Sequence, residues 1–285
     1  MIESEKYITN ILNSKNHIIT RLGWTESRYV ENWIKCQQNS SYVNYLHSHP
    51  EELQFIKVMG VFPHEDKHLI EFMETYRFIL FNLYDANPIS VSYAKTLKSD
   101  YFEKMFFKKN YQFDARIFNP FYQTGLFQKE LATKKLCIVT PFPETIKMQL
   151  DKLDLLFDDK KFTNIDPSNI IFIKSPPHKE ISNQLENPYT SWGEALSTMI
   201  EQLNSSEYDV LLTGCGSYSL PLNYRAFLNG KIAINMGGDL QLMFGVVGAR
   251  WKSQPAYYTF NKYWISPLDE ERPSGYNKIE NGAYW

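Results

Sequence analysis

From Lys135 onward the chain alternates two hydrophobic rhythms. Short continuous apolar runs, Lys135–Thr140 (KLCIVT), Asn169–Ile173 (NIIFI), Val210–Leu212 and Ile232–Ile234, are flanked by turn-forming residues and read as strands buried on both faces. Helical spacing fills the intervals. Ile146–Phe157 follows the Pro141–Thr145 turn, and Ser191–Leu203 opens with Ser191 as N-cap and Glu194 at the capping-box position. Strands alternating with helices imply right-handed crossovers, so the expected fold is α/β, a Rossmann-like parallel sheet with helices on both faces.

Upstream the rhythm is less regular. Glu3–Leu12 reads as a short helix, His17–Leu22 (HIITRL) as a strand ending at Gly23, and Thr25 as the N-cap of a helix running to Cys36. Pro63 stands at the start of a longer amphipathic helix in which Leu69, Phe72, Met73, Tyr76, Ile79 and Leu80 recur at period 3.6, ending near Asp85–Pro88. Residues 98–132 are aromatic and mixed, with Asn119-Pro120 and Gly125 as breakers, and predict irregular chain with short helices. One domain results: an N-terminal helical, aromatic-rich part (1–132), a Rossmann-like half (133–250) and a C-terminal arm (251–285). The arm carries too many aromatics for a disordered tail and is expected to fold back on the body.

Composition narrows the classes. At 285 residues with net charge -2, the chain offers no field to attract nucleic acid. The N-terminus lacks a basic start and an apolar core of the signal-peptide kind, and no apolar run is long enough to span a bilayer, so a cytoplasmic protein is expected. Cys36, Cys137 and Cys215 are far apart and fit neither a zinc knuckle nor a disulfide framework.

The chemistry concentrates in Asp209–Trp251. Two apolar runs each end in a glycine turn, Gly214-Cys215-Gly216-Ser217 and Met236-Gly237-Gly238-Asp239, and each turn opens a helix-like segment. Glycine lets backbone turn sharply and approach a ligand, and a helix start beyond it offers free N–H groups. Two such turns on neighbouring parallel strands would line one anion-binding crevice; otherwise they only pack strand tightly against helix. The HIITRLGWTE segment has the same design. Arg21 suits a phosphate, while Glu26 either binds metal, bonds a ribose, acts as a base, or simply complements the helix dipole. Thr140 and Thr145 flank a third strand-to-helix junction. His64-Glu65-Asp66-Lys67-His68 matches HExxH, but no third zinc ligand is evident. His47 and His49 in HSHP read as loop residues that could chelate a metal. The first turn also invites comparison with S-adenosylmethionine methyltransferases, although Asn235 stands where a ribose-binding acid would be expected.

The blocks KLCIVTPFPETIKMQ, SWGEALSTMI, DVLLTGCGSYSLPL, INMGGDLQLMFGVVGARW and ERP…ENGAYW resemble a family of bacterial capsule- and lipopolysaccharide-locus proteins with no assigned activity. More distantly, the plan is similar to the GT-D glycosyltransferases, whose Arg-Phe-Gly-Asp-Gly-Glu segment corresponds here to Arg21-Leu22-Gly23-Trp24-Thr25-Glu26. The resemblance implies transfer of a sugar from a nucleotide-sugar donor to a glycan or lipid-linked acceptor at the inner face of the membrane, by a chain that could act as a homo-oligomer. Gly214, Gly216 and Ser217 would cradle the diphosphate, and Gly237, Gly238 and Asp239 would form the facing wall. Arg21, Gly23 and Arg250 would contact the nucleotide, with Glu26 or Asp239 as base. The family's divalent metal (Mn or Mg) would lose a ligand, because Trp24 replaces its Asp and an indole cannot ligate a hard cation. Asp239 or Asp85 would supply the missing carboxylate, or Trp24 would stack on the base or sugar of a metal-free reaction.

Overall fold

A computed structural model describes residues 2–22, 32, 36, 39–85, 89–93 and 111–285. Its strands are β1 (His17–Leu22), β2 (Ile89–Tyr93), β3 (Tyr111–Asp114), β4 (Leu136–Thr140), β5 (Ile170–Lys174), β6 (Val210–Thr213) and β7 (Ile232–Asn235). They form one seven-stranded sheet in the order β3-β2-β1-β7-β6-β4-β5. Every ladder is parallel, with Ile19 opposite Ile234 where β1 meets β7 and Thr213 opposite Asn235 where β6 meets β7. The α/β Rossmann-like architecture is therefore present.

Period-two alternation divides each strand between two cores. Ile18, Cys137, Val139, Leu211 and Ala233 pack against α2 (Asn39–Ser48), α3 (Pro50–Val58), α4 (Asp66–Asp85), α7 (Trp192–Asn204) and α8 (Ser219–Leu228). On the other face Ile19, Leu136, Ile138, Val210, Leu212, Ile232 and Ile234 pack against α1 (Ile2–Ile11), α5 (Leu126–Leu131), α6 (Pro143–Lys147) and α9 (Asp239–Met243). The central strands β4, β6 and β7 are buried on both faces, which is why their sequences are unbroken apolar runs.

Right-handed crossovers send connections in opposite directions along the sheet over opposite faces. Connections running from β5 towards β3 use the α2–α4, α7 and α8 layer, and those running towards β5 use α5 and α6. The elements that follow β4 and β6 thus lie on different faces, and so do α9 after β7 and α2, the next described helix after β1. Such partings at the carboxyl edge leave room for a ligand.

The structure departs from the sequence reading in several places. Helices α2 and α3 occupy a stretch in which only His47 and His49 were read, as loop residues, and His47 lies in α2; β2 carried no prediction, and β3 is a strand within residues 98–132, where irregular chain with short helices was expected. Helix α4 begins at Asp66 rather than Pro63, after a cis Phe62-Pro63 peptide, because the Phe62 carbonyl is taken by the Trp192 amide (2.7 Å) and holds the preceding loop. The helix expected over Ile146–Phe157 is five residues long and lies earlier, at Pro143–Lys147. It stops where Gln149 turns inward, fully buried, to donate to the carbonyls of Gly245 (2.9 Å) and Tyr263 (2.8 Å). Most of the predicted Thr25–Cys36 helix lies outside the described residues.

Buried carboxylates tie elements together. Glu5 on α1 accepts from the Thr124 amide (2.8 Å), the Thr124 hydroxyl (2.9 Å) and the Phe127 amide (3.3 Å), fixing α1 to the start of α5. At α7 the Ser191 hydroxyl accepts from the Glu194 amide (3.1 Å), as the capping motif predicts, while the Glu194 carboxylate reaches the Thr190 amide (2.7 Å) rather than its usual Ncap partner.

Candidate functional site at the carboxyl edge

The first glycine turn, after β6, is filled by protein. Gly216 adopts φ +60, which favours glycine, and leads into a short 3-10 turn before α8. Ser217 is fully buried. Its hydroxyl accepts from the Trp192 indole (2.9 Å), its carbonyl from the Tyr76 hydroxyl (2.7 Å), and its amide donates to Met59. Gly214 is glycine for a packing reason: a Cβ there would lie 2.7 Å from the Gly237 carbonyl oxygen and 2.9 Å from Leu240. Cys215 is no nucleophile candidate, since burial pushes its thiol up to about 12. This turn supports the second one from behind.

The second turn, after β7, is more open. Gly237 (φ +57), Gly238 and Asp239 are half-buried. The Gly237 amide is engaged with the Thr213 carbonyl (3.3 Å) and the Asn235 side chain (3.1 Å), which shapes the turn. Because β1 runs beside β7 in parallel, Arg21 near the end of β1 reaches the same edge as this turn. Gly23, Trp24 and Glu26 lie outside the described residues.

A wall from two other segments completes this corner. Pro120–Tyr122 and Ala115–Phe118 pack on α9. Between them buried Asn119 donates from Nδ2 to the Tyr258 hydroxyl (3.2 Å). Burial raises the Tyr258 phenol above its ordinary range, with Tyr122 and the Asp239 carboxylate adding to the rise and the Asn119 bond opposing it. The Asp239 carboxylate at the turn thus acts on the Asn119–Tyr258 pair through its charge. Sequence reading marked Asn119 only as a helix breaker and missed Tyr258, because their association spans 139 residues.

The third junction is occupied by the chain itself. The Glu271 carboxylate accepts from the amides of Glu144 (2.7 Å) and Thr145 (2.9 Å) and from the Thr145 hydroxyl (2.5 Å), and that hydroxyl accepts from the Leu268 amide (2.9 Å). Beyond Glu271 the arm crosses the edge. Trp285 lies against Phe142 (ring centroids 6.0 Å apart), and Gly238 packs beneath the Tyr284 and Trp251 rings. Arg250 is ion-paired with Glu280, and its guanidinium lies 4.6 Å from the Tyr284 ring centre.

The remaining candidates do not gather. Asp85 closes α4 just before β2 begins, which sets it at the amino edge of the sheet, opposite Asp239. His64 precedes α4 and bonds the Val61 carbonyl (3.0 Å), while His68 faces Glu71 (3.4 Å), so HExxH straddles a helix start instead of presenting two imidazoles on one face. His47 sits in the last turn of α2, 2.7 Å from Asp66, and His49 bonds the Tyr45 carbonyl (2.9 Å). Among the described residues no three His, Cys, Asp or Glu side chains are grouped to hold a metal ion. No helix among them is long and apolar enough to cross a membrane. A groove of about 510 Å³ runs along edge strand β5, between Lys174, Tyr189 and the end of α7, and contains none of the candidate residues. No protein-family model, curated protein or solved structure matches this chain.

Proposed function

We propose that this protein is a glycosyltransferase that takes a nucleotide-activated sugar and serves surface polysaccharide synthesis, with its donor site at the carboxyl edge between β1 and β7. One observation carries the reading: the parallel β1–β7 pair brings the Arg21 end of one strand beside the Gly237-Gly238-Asp239 turn of the other, and the next described helices after the two strands lie on opposite faces. Open parallel sheets take nucleotides at such partings. In this reading the backbone of Gly237 and Gly238 lets the donor approach closely. Arg21 and Arg250 offset the charge that develops on the departing diphosphate, the main electrostatic task of the transfer. Asp239, with Tyr258 and Asn119 beside it, takes the proton of the acceptor hydroxyl. Gly214, Gly216 and Ser217, first read as the cradle, become the support for this turn. Glu26 keeps its place as an alternative base.

Thermal shift with uridine, guanosine and cytidine sugar nucleotides, with and without Mn²⁺ or Mg²⁺, tests the proposal. At least one donor is expected to raise Tm by about 2–4 °C at a concentration well above Kd. Asp239→Asn is expected to retain donor binding and lose roughly 100-fold or more in transfer rate, the scale of a missing general base. If no sugar nucleotide at millimolar concentration shifts Tm, the reading fails. A shift with S-adenosylmethionine alone would favour a methyltransferase, and unchanged polymer yield in cells carrying Glu26→Ala and Asp239→Ala would favour a non-catalytic assembly role.

A further inference from the structure

The arm that crosses this edge has two anchors of unequal quality. At one end Glu271, buried, takes two backbone amides and a hydroxyl. At the other, the Ala249 and Arg250 amides donate to the carbonyls of Trp285 and Ala283 (2.9 Å each), and the Gln241 side chain donates to the Tyr284 carbonyl (3.2 Å). The charged fastening at this second end is the Arg250–Glu280 pair, whose side chains are 38% and 41% exposed. An ion pair in that setting is worth little and weakens with salt. The backbone here is also held out of its preferred conformations. Glu280 (φ +46), Asn281 (φ +54) and Gly282 (φ +73) are three successive left-handed residues, and only the glycine adopts that conformation at no steric penalty. The Trp285 indole nitrogen is buried without a hydrogen-bond partner among the described residues.

We propose that Pro267–Trp285 is a strap over the donor site, hinged at Glu271 and latched at Glu280. In the closed form the Glu280 carboxylate occupies Arg250, the position at which the donor's anionic group would otherwise bind. Donor binding then displaces the Glu280 end while Glu271 stays seated. The displacement step rests on the glycosyltransferase reading, but the latch does not.

Two full-length variants loosen the latch without altering any residue assigned to the donor. Glu280→Gln removes the charge that holds Arg250. Gly248→Ala acts on the strap by shape: Gly248 has an ordinary extended backbone (φ -97, ψ 174) that alanine adopts freely, yet the added Cβ would lie 2.5 Å from the carbonyl carbon of Tyr284 and 2.6 Å from the oxygen of Ala283. The three atoms nearest to that Cβ all belong to the strap, so the strap has to shift to make room for it.

Hydrogen exchange read by mass spectrometry tests the latch. Exchange at Ala249 and Arg250 is expected to rise a few-fold in Glu280→Gln, the scale of one half-exposed ion pair, and roughly ten-fold or more in Gly248→Ala, while Glu144 and Thr145, bonded to Glu271, keep their rates. Unaltered exchange at Ala249 and Arg250 in both variants overturns the strap. Titration with uridine diphosphate tests displacement. Binding about three- to ten-fold tighter in the variants is expected, since the open form no longer has to be populated against the latch. Equal or weaker binding overturns displacement. Absence of binding to wild type and both variants overturns the uridine-nucleotide reading and the displacement step with it, and the exchange result still decides the latch.

Discussion

The Trp192 indole donates to the Ser217 hydroxyl, and Tyr76 reaches the carbonyl of the same residue from α4. Removing that hydroxyl leaves a buried indole N–H without an acceptor, which costs about 1–3 kcal/mol. Ser217→Ala is therefore expected to lower the unfolding free energy measured in urea by that amount while nucleotide affinity stays within about two-fold of wild type, the margin of a residue that does not touch the ligand. Unchanged stability with lost affinity would return Ser217 to the phosphate cradle. The partners that decide its role lie 25 and 141 residues away in sequence. No local pattern around GCGS carries that information, so the turn was legible as a turn and its occupant was not. Asp239 is the reverse case: its place after an apolar strand marked it, and the half-buried turn beside Tyr258 keeps it a candidate.

Among elements, α1 depends on one side chain for its seat beside α5. Glu5→Ala removes three charge-assisted bonds to Thr124 and Phe127 and is expected to cost about 2–3 kcal/mol in urea unfolding, with faster hydrogen exchange along α1. Stability within about 0.5 kcal/mol of wild type, the range of an indifferent surface change, would show that apolar packing of Ile8 and Ile11 alone seats the helix. Legibility of the elements followed burial. The interior strands β4, β6 and β7 announced themselves because both faces are apolar, so LCIVT, VLLT and IAIN stand out from any surroundings. Strand β3 (YQFD) is short, mixed and at the sheet's edge. Helix α2 (NSSYVNYLHS) is rich in Ser and Asn, residues that compete with the helix backbone, and only the packing of Tyr42, Val43 and Leu46 marks it. The Glu271 anchor was equally hidden, because an acidic run in a C-terminal arm reads as solvated surface.

At the scale of the whole molecule, His17 opens strand β1 opposite Ile232 and couples the fold to pH. Burial lowers its imidazole from the ordinary 6.5 to about 4. The unfolded chain therefore takes up this proton first as pH falls. Stability from this group is complete above pH 6.5, declines between 6.5 and 4, and changes no further below 4. The loss is roughly 1–3 kcal/mol, given about 1.4 kcal/mol per pKa unit less screening. Urea melts at pH 7 and pH 4.5 are expected to show that difference in wild type and a smaller one in His17→Asn; equal differences in the two proteins would remove His17 as the cause.

Strand β7 is the keystone of the sheet: it alone joins the β3-β2-β1 group to the β6-β4-β5 group. Its partner β1 begins at His17 and pairs with Ile232, 215 residues later by subtraction (232 − 17). At about 5–20 residues per second, a ribosome delivers that partner roughly 10–40 s after β1 has been made. Throughout that interval His17, Ile18 and Ile19 carry backbone donors and acceptors with no neighbour on the β7 side. The nascent chain through Asp114 is thus a waiting half-sheet, and the protein's yield in a cell is expected to depend on what shields that open edge until translation reaches IAIN.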